Sequence, residues 1–154
     1  MTNTKTFFRV SDNDLQTFER DGFLIVPQLF SAAEAEQLGE TARNDAKTWG
    51  DATERADADG MRTILAVRDE LTADIYSSVA RSRRIVDSMA KLLGDEVYHY
   101  HHKLMLKEPK VGGAWEWHQD YGYWYNYGCL FPTMASCYVA IDKASQANGC
   151  LQVL

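Results

Sequence analysis

Apolar and polar positions follow two different rhythms along this chain, and the change comes at Gly94. Before it the rhythm is mostly helical. Ser11-Asp-Asn-Asp14 places a hydroxyl ahead of acids, the start signal of a helix that runs to about Arg20 with Leu15 and Phe18 on one face, and Asp21-Gly22 ends it. Phe23-Leu-Ile-Val26, closed by Pro27, predicts a short strand. Ser31-Ala-Ala-Glu34 is a second capping box. After it Ala35, Leu38, Ala42, Ala46 and Trp49 recur at three- and four-residue steps, the stripe of an amphipathic helix. Residues 50–60 are acidic and aperiodic and read as a surface loop. A strand is predicted over 64–67 and helices over 70–80 and 82–93, the second with Ile85, Met89, Leu92 and Leu93 as its stripe and Gly94 as its stop.

Beyond Gly94 the period becomes two. Over 97–107, Tyr98, Tyr100, His102, Leu104 and Leu106 fall on one face, and His99, His101, Lys103, Met105 and Lys107 on the other. With a helical first half, the Tyr/Leu face is expected under helices. Alternation alone leaves the polar face turned either to solvent or into a polar cavity. A Gly-rich turn at 109–114 and the stretch Trp115-Glu-Trp-His-Gln-Asp120 follow, then a dense aromatic loop over 121–131. Residues 133–141 alternate as a further strand, Asn148-Gly149 signals a turn, and 150–154 begin another strand.

Composition narrows the classes. A chain of 154 residues, 45% hydrophobic and 12% aromatic, has the length of one domain and the material for a core. A net charge of −6, with no basic cluster longer than Arg81-Ser-Arg-Arg84, argues against a nucleic-acid partner. No apolar run reaches the roughly 18 residues of a membrane span, so no membrane partner is expected, and residues 1–8 lack the features of a secretory leader. Cys129, Cys137 and Cys150 are odd in number and show no C-x-x-C spacing. They are expected to be reduced, buried small hydrophobes in a cytoplasmic protein.

The candidate chemistry sits at His118 and Asp120. On an extended segment, side chains two residues apart point the same way, so an imidazole and a carboxylate would converge. Such a pair is two-thirds of the 2-His-1-carboxylate triad of non-haem Fe(II) oxygenases. By itself an H-x-D triplet is equally a structural His–Asp pair at a strand end. Its setting, after a long strand and a Gly turn and between Trp and Tyr side chains that could wall an apolar pocket, points to a site.

Five stretches in order carry a family resemblance: Asp21-Gly-Phe-Leu-Ile-Val-Pro27, Lys103-Leu-Met-Leu-Lys-Glu-Pro109, Trp115-Glu-Trp-His-Gln-Asp-Tyr-Gly-Tyr-Trp124, Ala140-Ile-Asp142 and Asn148-Gly-Cys-Leu-Gln-Val-Leu154. Together they resemble the phytanoyl-CoA dioxygenase family, which includes the ectoine hydroxylases. The resemblance implies an Fe(II)- and 2-oxoglutarate-dependent oxygenase of a small organic substrate, built on a double-stranded β-helix. It implies His118 and Asp120 as iron ligands and turns His101, Lys103 and Met105 inward to the co-substrate, with Tyr138 against it. Tyr121, Tyr123, Trp124 and Tyr127 are expected to wall the substrate side.

The chain departs from that pattern in instructive ways. The family's third ligand is a His well downstream, followed by an Arg that clamps 2-oxoglutarate. Here no His follows His118, and Lys143 is the only basic residue after Asp120. Gln119 and the Tyr-Gly-Tyr run also depart from the ectoine hydroxylase pattern, which argues against ectoine as substrate. The roughly sixty residues after Gly94 suffice for about four strands. The expected fold is therefore α+β, with N-terminal helices packed on an incomplete double-stranded β-helix (a cupin-like jelly roll): a single truncated domain over 1–154, mainly helical over 1–94, with the first part of the jelly-roll core over 95–154. An open sheet edge at Leu151, Val153 and Leu154 would be available to pair with another chain. The expected function is that of the N-terminal part of such a dioxygenase. The alternative is a non-catalytic cupin-like module that binds a metal or ligand, or an inactive fragment.

Overall fold

The computed structural model describes residues 8–110 and 112–154. The N-terminal stretch read for a leader lies outside them, apart from Phe8. Both expected capping boxes form. Ser11 accepts from the Asp14 N–H while Asp14 accepts from the Ser11 N–H, starting α1 (Asp12–Asp21), and Gly22 closes it in the left-handed region at φ 78°. Ser31 and Glu34 do the same for α2 (Ala32–Asn44). The helix expected to continue to Trp49 breaks at Asp45. The Asp45 carboxylate takes the Thr48 N–H at 2.9 Å and so caps a separate α3 (Ala46–Gly50), a local bond that competes with helix continuation.

The loop expected at 50–60 contains a strand. β1 (Thr53–Ala56) and β2 (Arg62–Arg68) form a hairpin, and β3 (His102–Leu106) joins β2 to give an antiparallel sheet in the order β1-β2-β3. Among the described residues before Gly94, five helices therefore stand with two strands. The register pairs Ala66 with Leu104 and Ile64 with Leu106 on one face, and Leu65 with Met105 and Val67 with Lys103 on the other. The first face meets the helices. Leu38 and Ala42 of α2, Ala66, Leu104 and Tyr76 of α4 (Ile75–Ala80) make the buried cluster, with Trp49, Ile75, Val79 and Ile141 against it. α5 (Arg83–Leu93) ends at Gly94 as expected and is tied to α1 by Lys91–Asp12. No helix among the described residues is long and apolar enough to cross a membrane.

Several expected strands lack ladders. Residues 23–26, 97–101, 133–141 and 150–154 form no strand, because among the described residues no neighbouring strand lies against them to take their backbone groups. Accordingly the structure shows a three-stranded sheet rather than a jelly roll. The Tyr/Leu face of 97–107 goes under the helices only from His102 onward, and Tyr98 is 84% exposed. The aromatic loop is partly helical, as α6 (Asp120–Asn126). The cysteines are not buried as expected: Cys137 is exposed and the other two are half-buried. The C-terminal segment is nonetheless anchored. Arg43 bonds Asp142 at 3.1 Å, and Gly39 leaves room for Ile141, whose Cγ2 would lie 3.0 Å from a Cβ there.

Arg84 reaches from α5 to the cap of α2, bonding Glu34 at 2.6 Å and the Leu29 carbonyl at 3.0 Å. The Arg84 guanidinium, then the Ser31 backbone and hydroxyl, hold the Glu34 carboxyl down at about 2. A depressed carboxyl adds stability above its unfolded value of 4.5 and loses it as pH falls toward about 2. Glu34→Gln should therefore flatten the acid-unfolding curve in that window. Because Glu34 is 44% exposed, its loss at neutral pH should cost under about 1 kcal/mol. Urea unfolding at pH 7 and pH 3 checks this: a stability gap between the two proteins that stays constant with pH would refute it.

Candidate metal centre

The path of the chain into Trp115–Asp120 is set by the β1–β2 hairpin. Residues Gly112 and Gly113 lie beside the start of β2, where Gly112 bridges Arg62 in parallel and the Gly113 N–H donates to the Arg62 carbonyl at 3.0 Å. The buried Thr63 hydroxyl donates to the Gly113 carbonyl at 3.2 Å. A Cβ on Gly113 would collide with the Met61 carbonyl, so only glycine lets the two backbones approach this closely. The next residue, Ala114, donates its N–H to Asp57 Oδ2 at 2.8 Å. The Arg55 guanidinium then covers the Trp115 ring at 3.9 Å.

His118 and Asp120 converge at the junction between this segment and α6. His118 Nε2 stands 3.0 Å from Asp120 Oδ1. His118 Nδ1 stands 2.6 Å from the Glu116 carbonyl. A carbonyl only accepts, so Nδ1 carries the hydrogen, and in the neutral ring Nε2 presents a lone pair to the carboxylate. The 3.0 Å contact is closed either by a hydrogen on Nε2 donating to the carboxylate or by a metal ion between the two atoms. A divalent metal fits. Two donors in adjacent octahedral positions, each about 2.1 Å from the ion, lie about 3.0 Å apart. The outer bond from Nδ1 to a backbone carbonyl is the support that metal-bound histidines use. Both side chains are exposed, at 51% and 63%. Among the described residues no group of three or more His, Cys, Asp or Glu side chains stands together for a metal ion, so the pair supplies two donors.

The other expected site residues fall into two groups. On the sheet face opposite the core, Met105 Sδ receives the Tyr138 hydroxyl at 3.0 Å. Burial of that hydroxyl, with the Asp120 carboxylate second, pushes the Tyr138 phenol up, although the residue as a whole is 62% exposed. Lys103 Nζ lies 5.8 Å from the centre of the Trp124 ring, and His101 packs on the same ring at 5.2 Å. Burial, then the nearby Lys103 charge, lowers the His101 imidazole. His101 and Lys103 thus flank Trp124, while Met105 and Tyr138 meet each other, with the Asp120 carboxylate near enough to act on the Tyr138 phenol. A small cleft of about 90 Å³ opens there, lined by Asp120, Tyr121, Trp124, Pro132, Met134 and Ser136. Tyr121 and Trp124 therefore reach the cleft. Tyr123 packs edge-on to Trp124 at 4.9 Å, and Tyr127 packs on the Tyr123 ring at 4.6 Å while its backbone N–H donates to the Trp124 carbonyl at 3.0 Å. A larger cleft of about 380 Å³ under Ile64 and Leu106 opens on the helix-facing side of the sheet, where Arg62 is already paired with Glu54, and holds neither member of the pair.

Asp57, Thr63, the Glu116 carbonyl and Arg55 were not legible as site residues. One signal was available for Asp57. The run Asp57-Ala-Asp-Gly60 has the composition of an Asx turn closing a hairpin, and the loop assignment over 50–60 passed over it.

Comparison with known proteins places the chain among oxygenases. The chain is 26% identical to ectoine dioxygenase from Streptomyces coelicolor (strain ATCC BAA-471 / A3(2) / M145) over 94% of its own length and 50% of that protein's. It is 26% identical to L-proline trans-4-hydroxylase from Streptomyces griseoviridis, over 89% of the chain and 51% of that protein. To ectoine dioxygenase from Bordetella parapertussis (strain 12822 / ATCC BAA-587 / NCTC 13253) it is 28% identical, over 94% and 48%. The chain thus spans about half the length of the curated relatives it matches. No solved structure matches it significantly. The phytanoyl-CoA dioxygenase (PhyH) family model matches residues 18–154, and the chain belongs to that family.

Proposed function

We propose that this chain is the N-terminal part of an Fe(II)- and 2-oxoglutarate-dependent dioxygenase that hydroxylates a small organic molecule. The observation that carries the reading is the approach of His118 Nε2 to Asp120 Oδ1 at 3.0 Å with Nδ1 fixed by the Glu116 carbonyl. His118 and Asp120 would hold the iron. Bound iron with 2-oxoglutarate and O₂ supplies oxidative decarboxylation and removal of a hydrogen atom from the substrate. The chain's own residues bind and orient. Lys103, His101, Met105 and Tyr138 form the co-substrate side, where the Lys103 ammonium offers a charge to a carboxylate and the protonated Tyr138 phenol a hydroxyl. Tyr121 and Trp124 wall the cleft beside Asp120, and Tyr123 and Tyr127 buttress Trp124 and help keep water out.

A third ligand and a carboxylate-clamping Arg would come from further polypeptide. The surface supports this. The accessible area is 12056 Å², against about 7,900 Å² for a compact monomer of 17.5 kDa. Large apolar side chains of the C-terminal third are exposed, including Leu130, Phe131, Leu151, Val153 and Leu154. Unladdered extended segments bearing such side chains are what strand addition uses. No nucleic acid is expected to take part.

Anaerobic addition of Fe(II) and 2-oxoglutarate tests the reading. The 154-residue chain alone should give no visible metal-to-ligand charge-transfer band, and addition of a polypeptide carrying the distal His and Arg should bring the band up. A band from the chain alone would show that no further polypeptide is needed. Its absence from the reconstituted pair would favour the second reading, a non-catalytic metal-binding module, which the two-donor site among the described residues supports.

A further inference from the structure

We propose that Asp57 is the positioning residue of the His118–Asp120 pair: its carboxylate latches the β1–β2 turn to the backbone four residues before His118. The inference rests on the metal reading of the pair for one of its two readouts. The two carboxylate oxygens divide their work. Oδ1 accepts the turn's own N–H groups, from Asp59 at 3.0 Å and Met61 at 2.8 Å. Oδ2 accepts the Ala114 N–H at 2.8 Å. The Ala114 bond is the largest of the influences that hold the Asp57 carboxyl below its ordinary range.

The latch closes a contact that has no slack. Gly113 is bonded through both its N–H and its carbonyl to residues of β2 and has no room for a Cβ against Met61. Ala114 is the last residue before the pair whose backbone the hairpin holds. Two residues on is Glu116, whose carbonyl fixes the His118 ring. Two residues span at most about 7 Å, so the position given to Ala114 is passed on to the imidazole with little freedom. Without the Oδ2 bond, the hydrogen bonds from the hairpin end at Gly113, and among the described residues only the Arg55–Trp115 stacking remains beyond it.

Asp57→Asn separates this role from simple support of the turn. The amide has one oxygen. Set on the two turn N–H groups, it turns its NH₂ toward the Ala114 N–H, donor against donor, while the flipped amide gives up two bonds to keep one. The substitution therefore cuts the link to residue 114 and spares the hairpin. Amide hydrogen exchange on the full 154-residue chain should speed up about tenfold or more at Ala114, the amide of 114–118 that has an acceptor among the described residues, and stay unchanged over 53–56 and 62–68. The affinity for Mn(II) alone, read from the paramagnetic resonance signal of the free ion, should fall about tenfold. Asp57→Ala should loosen both regions. Glu54→Ala breaks the hairpin's exposed ion pair to Arg62 on the other face and should leave Mn(II) affinity at the wild-type value. Unchanged exchange at Ala114 in Asp57→Asn would overturn the proposal whatever the metal does. So would faster exchange with unaltered Mn(II) affinity. A wild-type chain that takes up no Mn(II) would overturn the metal reading of the pair instead, and the exchange result would still decide whether Asp57 places the segment.

Discussion

Asp120→Ala will cost the chain its affinity for divalent metal, by more than about 100-fold, and leave its folding almost unchanged. The two expectations rest on different facts. Binding depends on the pair because the described residues offer only two convergent donors, so removing one leaves a single imidazole on an open surface. Loss of an outer-shell partner costs roughly 10–100-fold in metal affinity, and loss of a ligand exceeds that. Folding depends little on either side chain. Both are more than half exposed, and an exposed His–Asp contact is worth about 0–1 kcal/mol. His118→Ala should match Asp120→Ala in both respects. Asp120→Asn keeps the size and loses the charge, and should fall near the alanine variant, since the neutral amide does not offset the ion. Titration with Mn(II) and urea unfolding, run on the same samples, decide the matter. Wild-type metal affinity in both alanine variants would mean that the 3.0 Å contact is only a structural ion pair.

The pair was legible because its information is local. Only Gln119 lies between His118 and Asp120, and any extended or turning backbone that starts a helix at residue 120 can bring them together. The geometry arose differently from the expectation of a continuous strand, with Asp120 opening α6 and His118 held back by Glu116. Capping boxes and the left-handed glycines at 22 and 94 were legible for the same reason, being i to i+3 or i to i+4 bonds written in neighbouring residues. The hairpin strand β1 was not. Thr53-Glu-Arg-Ala56 is exposed at all four positions, so no alternation marks it, and it exists because β2 offers a ladder. The reverse holds for 133–141. Alternation there records the capacity to be a strand, while a strand also needs a neighbour to bond. Least legible was the bond from Ala114 to Asp57, which spans 57 residues of sequence and has no periodic signature.

Leu104→Ala will destabilise the fold by about 2–4 kcal/mol and in doing so will release the site as well. Burial makes Leu104 the decisive position: it is 8% exposed, at the centre of β3, opposite Ala66 and among Leu38, Ala42 and Tyr76. Truncating a buried leucine removes its transfer energy and leaves a cavity that the neighbours fill only in part, for a total of about 2–5 kcal/mol. Two of its four fully buried apolar neighbours are alanines, which have no length to swing into the space, so little collapse is available. A domain is typically stable by about 5–15 kcal/mol, and a cluster of five buried apolar residues sits at the low end of what such a margin needs. Val67→Ala is the control. Val67 lies on the adjacent strand but faces away from the helices at 52% exposure, and should cost less than about 1 kcal/mol. The consequence for the site follows from the pleat. Lys103 and Met105 flank Leu104 and point to the opposite face, where Met105 meets Tyr138 and Lys103 approaches Trp124. Loosening β3 from the helices therefore loosens the strand from which both side chains project. Urea midpoints of the two variants, followed by helical circular dichroism and by tryptophan emission, should separate widely for Leu104→Ala and barely for Val67→Ala. Equal midpoints would place the stabilising core somewhere other than between α2, α4 and the sheet.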